Sequence, residues 1–217
     1  MKIDSILDLE IKELKENGAN EIGYTKSTCI NYGVYSTAYL FWKINDSTFI
    51  QKFKHSEYNK DSTQKSERIQ IIDSVFFSFY NIHEKSLKSE NVENFKSKPD
   101  SIVGNMTYSS RVTISHSCYR HFVVKSGNEN FHKQFNRFDL KEYNEEKVHA
   151  SKRKYTKEEI KKWKERGWEL DEYKIIHENF PIRNINYQHN KELKIVEWDK
   201  VISKFIEYLE TKNTFDF

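Results

Sequence analysis

The stretch from Arg111 to Leu140, RVTISHSCYRHFVVKSGNENFHKQFNRFDL, constrains the fold of this chain more than any other. β-Branched and aromatic residues run up to a Gly-Asn pair and resume beyond it, the pattern of a β-hairpin. With Gly127-Asn128 as the turn, Val124 falls opposite Phe131, and Phe135 shares their face. Strand alternation places Val112, Ile114, His116, Cys118, Arg120, Phe122 and Val124 on the apolar, core-facing side. His121 and His132 fall on the other side, so His116 is expected inward and these two outward. A bulge near Ser115 or Ser117 would change the parity and bring the three histidines together.

A second hairpin is expected from about Tyr35 to Lys54, turning at Asn45-Asp46. Leu40, Trp42, Ile44, Phe49 and Phe53 share one face, with Phe41 and Ile50 on the other. Apolar residues on both faces predict a strand pair inside a sheet, covered on each side. Lys43–Phe49 aligns with Lys125–Phe131, and a helix start follows each hairpin, near Asp73 and near Thr156. That spacing fits a divergent ββα repeat. Convergence fits it too, because hairpins favour Lys, Asn and Phe at such positions.

Helical signals frame the hairpins. Ile3, Leu7, Ile11 and Leu14 recur at helical spacing up to the stop Asn17-Gly18. Asp73 or Ser74 is placed to cap a helix through Phe76, Phe79 and Tyr80. Thr156-x-x-Glu159 is a capping box, with Gly167 closing its helix. Val201, Ile202, Phe205, Ile206 and Leu209 form a core stripe on a terminal helix capped by Asp199. Gly23, Cys29 and Gly33 read as loop residues, and Leu193 to Trp198 as a strand. So do Tyr173 to Ile176, whereas Leu140 to Lys154 shows no period. Residues 1–217 are read as a single α+β domain. Its mainly antiparallel sheet, built from the two hairpins, is backed by about four helices.

The charge balance, 36 basic against 33 acidic residues, is too even to point to nucleic acid, which calls for a clustered basic patch. No apolar run is long enough to span a bilayer, so no membrane partner is expected. The first five residues lack the apolar core of a signal peptide, which favours the cytoplasm if Met1 is native; a trimmed exported protein would look the same. Cys29 and Cys118 lack zinc-ligand spacing and are expected to be two reduced thiols, with a disulfide as the competing reading.

A metal site from His116, Cys118, His121 and His132 needs convergence that the face analysis denies. A nucleophilic Cys118 needs an exposed, activated thiol, but mid-strand on an apolar face it is inert. Pro99-Asp100 with Glu145-Glu146-Lys147 imitates a nuclease pattern, with Glu-x-Lys on an unpatterned segment. Lys161, Lys164 and Trp168 lie on a basic, aromatic segment suited to phosphates or an acidic protein face; interleaved glutamates make a solvated helix the plainer account. The expectation is therefore a non-catalytic module, of inhibitor or immunity type, that binds another protein without metal or cofactor. The rival is a hydrolase, such as a nuclease, built on His116, His121 and His132.

Overall fold

The computed structural model describes residues 3–30, 33–57, 62–72, 75–114, 116–127, 129–167 and 174–215, with backbone alone at 145–152 and 175–180. It is α+β and divides into two compact units: residues 1–141 with 185–217, and residues 142–184.

The larger unit is built on a seven-stranded, wholly antiparallel sheet. Its centre is β1 (Glu21–Ile30), the segment expected to be a loop carrying Gly23 and Cys29. On one side β1 pairs with β2 (Val34–Ile44), which turns at Asn45 into β3 (Ser47–Ser56); on the other it pairs with β8 (Ser117–Ser126), which leads into β9 (Glu129–Asn136). Pairing with a neighbour on each side supplies the order that its own polar sequence does not signal, since strand preference depends on the surrounding sheet. Gly23 has its own reason. A Cβ there would come within 2.5 Å of the Phe76 ring and 2.8 Å of the Val123 carbonyl.

Both expected hairpins are present in the expected register. Val124 faces Phe131, and Phe122, Val124, Phe131 and Phe135 are buried together while His132 is exposed. The parity fails only upstream of Ser117. There the chain is not yet a strand, so His116 is exposed instead of facing the core. The two hairpins flank β1, but the repeat does not extend to the helices. One helix packs on the sheet, and the other lies in the second unit.

Helices cover both faces. α1 (Ile3–Glu16) lays Ile3, Leu7, Ile11 and Leu14 on Ile22, Ala38, Leu40, Trp42 and Phe53. The opposite face carries α2 (Val75–Ser89) and, after the short α4 (Tyr187–Glu192), α5 (Lys194–Thr211); Trp198 packs among Phe76, Tyr80, Phe122 and Phe131. The predicted caps of α2, Asp73 and Ser74, lie outside the described residues. Leu193–Trp198 is not a strand. The stripe of α5 reaches back through Trp198 to Ile195, and the Glu90 carboxylate accepts from Lys194 N at 2.6 Å, a cap supplied from a distant segment.

Asp199 is therefore not a cap but a buried mid-helix anion. Arg120 donates to its Oδ1 through Nε at 2.7 Å, and Nη2 stands 2.6 Å from the same oxygen as the ion-pair contact. Burial lowers the guanidinium's pKa, and Asp199 opposes that shift. The expectation of free thiols also fails. Cys29 and Cys118 face each other across β1 and β8 and form a disulfide. Their pairing depends on a register between strands 89 residues apart, which spacing alone does not reveal.

The edge along β3 is shared by β4 (Ser62–Lys65) and β5 (Ile69–Ile71). In the second unit, β10 (Tyr143–Arg153) and β11 (Lys174–Arg183) form an antiparallel pair with a register shift between His149 and Ser151. The same unit holds α3 (Lys157–Glu165), capped as predicted by Thr156 and Glu159. The charged segment after Leu140 is thus largely strand, because pairing with β11 supplies the order its own periodicity lacks.

Candidate functional site

Between α2 and β8 the chain leaves the sheet and returns, and the excursion is tightly held at its root. Phe95 is fully buried, stacked on Phe138 at 4.9 Å, and its N–H donates to Asp139 Oδ1 at 2.8 Å. Asn190, also fully buried, donates to Glu93 O at 2.7 Å and Asp139 O at 3.0 Å and accepts from Glu93 N at 2.9 Å. Asn186 donates to Asn94 O at 2.8 Å and Ile185 N to Lys96 O at 2.9 Å. Satisfied buried amides of this kind fix a backbone in one position.

From that root two legs rise side by side. Val112 N donates to Phe95 O at 2.9 Å, Lys96 bridges Arg111, and Ser110 Oγ exchanges hydrogen bonds with the Lys98 backbone. The legs continue into β6 (Ser101–Val103) and β7 (Met106–Tyr108), with Gly104 at φ +62° in the turn. The end of this arm is apolar and bare. Ile102, Val103, Met106 and Tyr108 are 75, 65, 66 and 54% exposed. Val103 pairs with Met106 and Ser101 with Tyr108 on one face, while Ile102 opposite Thr107 faces the other way. Lys98 and Arg111 are exposed on the legs, and Lys96 pairs with Asp100 at 2.8 Å. Sequence reasoning passed over this arm. Its signal was a short strand pair around Gly104-Asn105, the same dipeptide that turns the central hairpin.

The residues nominated from sequence fall in separate places. His121 and His132 lie together on the α1 side of the sheet, with ring centroids 6.0 Å apart and nearly parallel. Burial, then the nearby Lys26 ammonium and His132, lower His121 to a pKa of about 4, so it is neutral at pH 7. Lys26 itself is held by Asp4. The structure does not bring His116 into this pair; it stands exposed ahead of β8. Among the described residues, no three His, Cys, Asp or Glu side chains are placed to hold a metal ion. Lys161 and Lys164 are exposed on α3, with Trp163 half-buried, and Trp168 lies outside the described residues. The side chains of Glu145, Glu146 and Lys147 are also outside them.

The arm offers apolar area on two faces, cationic legs and a fixed root. No helix among the described residues is long and apolar enough to cross a membrane. Compared with known protein families, curated proteins and solved structures, the chain matches none of them.

Proposed function

We propose that this protein is a non-catalytic binding module, of inhibitor or immunity type, whose β6–β7 arm enters a cleft on another protein. The observation that carries this reading is the apolar end of the arm, exposed on both faces above a root fixed by buried hydrogen bonds. Exposed apolar groups rimmed by polar ones favour burial against a partner. Each large side chain contributes roughly 1.5–3 kcal/mol when covered. A two-faced wedge calls for a concave receiver, and a root ordered beforehand lowers the entropy lost on docking. Lys98 and Arg111 on the legs suit acidic residues at the rim of the cleft. The apex, Gly104-Asn105, carries polar backbone and an amide, which a protein cleft satisfies by hydrogen bonds and hydrocarbon does not. A protein partner is therefore favoured over a lipid surface. The Cys29–Cys118 disulfide supports residence in an oxidising compartment.

The test is affinity capture of the tagged full chain from its own cells, in parallel with Val103→Ser/Met106→Ser and Lys98→Glu/Arg111→Glu. A stoichiometric protein partner retained by the wild type and lost from both variants, with melting temperatures unchanged, is the expected result. Retention of the same partner by both variants refutes the arm as the binding element.

A further inference from the structure

A second apolar feature lies at the opposite edge of the sheet from β9. The edge formed by β4 and β5 changes character after Arg68. On the β4 side it is charged, with Lys65 and Arg68 tied to Glu10 and Glu13 of α1. Beyond that break comes Ile69-Gln70-Ile71-Ile72, with no charged side chain and Ile72 fully exposed. Among the described residues, nothing pairs with the outer side of β5. Unprotected apolar edges of this kind are strand-pairing templates, which proteins usually blunt with charge.

Beside that edge runs a groove of about 440 Å³, walled by β5 and by Phe205, Tyr208 and Leu209 of α5. Glu210 clamps the last turn of α5 to the sheet by accepting from Tyr39 OH at 2.7 Å and from Lys52. Burial pushes the Glu210 carboxyl up, but these two bonds outweigh it and hold the group below its usual range. Asn213, at φ +51°, then turns the chain so that Phe215 tucks under Tyr39 and Thr214 closes one end of the groove.

From this pairing of an open strand edge with an apolar helix wall, we infer that the groove binds an extended apolar peptide segment, which adds to β5 as a further strand. The edge requires a strand, because only a strand satisfies its backbone donors and acceptors in register. The wall requires apolar side chains at alternate positions. Charge sets the rest. Lys212 lies over the Tyr208 ring at 5.8 Å, and at 3.6 residues per turn Lys204 is on the same flank, while Glu207 and Glu210 point away. The segment therefore carries an acidic residue beside its apolar run.

The probe is a displayed library of random linear peptides, panned against the full chain, with selected peptides measured by fluorescence anisotropy. Ile72→Glu and Tyr208→Glu change exposed residues, so their melting temperatures should match the wild type. The expected peptides alternate apolar residues next to Asp or Glu, lose at least tenfold in affinity to both variants, and protect the amides of residues 69–72 from hydrogen exchange. Lys212→Glu should weaken them and the arm variant Val103→Ser/Met106→Ser should not, which separates this site from the arm. Failure to enrich a sequence, affinity indifferent to both groove variants, or unprotected β5 amides overturns the proposal. So does a dimer abolished by Tyr208→Glu, which would assign the groove to a second copy of the chain.

Discussion

Replacing Asp199 by alanine should be among the most damaging changes in this protein, and the structure shows why. The Arg120 side chain is 6% exposed and lies against the Phe122 ring, its guanidinium carbon 5.6 Å from the ring centroid. Its Nε hydrogen bond at 2.7 Å and its Nη2 ion-pair contact at 2.6 Å both fall on one carboxylate oxygen. A pair of unit charges about 4 Å apart interacts by about 4 kcal/mol at an effective dielectric constant of about 20. Removing the anion forfeits that attraction and leaves a cation with no route to water, so the expected loss is about 3–5 kcal/mol. Arg137, 3.6 Å from the other carboxylate oxygen but 47% exposed, should matter by less than about 1 kcal/mol. The double variant Arg120→Met/Asp199→Leu keeps the volume and removes both charges, and should be neutral or up to about 4 kcal/mol more stable. Urea unfolding of the two single variants and the double one gives the coupling directly. Asp199→Ala within about 1 kcal/mol of wild type would mean that water reaches Arg120, and would refute the reasoning.

Other expectations follow from the same contacts. Cys29→Ser/Cys118→Ser opens a loop of 89 residues, which chain entropy values at about 4.6 kcal/mol as an upper figure; equal urea midpoints for this variant and the wild type would contradict it. His121 titrates at about 4 folded against about 6.5 unfolded. The unfolded chain therefore takes up the proton first, and the contribution of His121 is complete above pH 6.5 and is lost as pH falls toward 4; His121→Gln should flatten that slope. Gly23→Ala should cost about 1–3 kcal/mol, because the Val123 carbonyl cannot rotate away as a side chain would. Phe122→Ala, beneath Trp198, should cost about 3–5 kcal/mol by urea titration.

Local pattern alone located the two hairpins, their registers, the amphipathic face of α1 and the capped start of α3, because alternation, capping and turn chemistry act within a few residues. The burial of Phe122, Val124, Phe131 and Phe135 follows from that local rule. Tertiary structure decided whatever depends on residues far apart in sequence. Polar β1 is the central strand because β2 and β8 pair with it on both sides. Leu193–Trp198 continues into a helix because Glu90 caps it and the aromatic core receives Trp198. Cys29 meets Cys118, and Arg120 meets Asp199, only once that sheet and helix are in place. The arm and the groove are of the same kind. Their residues are ordinary apolar ones, and burial elsewhere in the fold is what leaves these few uncovered, since exposure is a property of the packed chain and not of any local pattern.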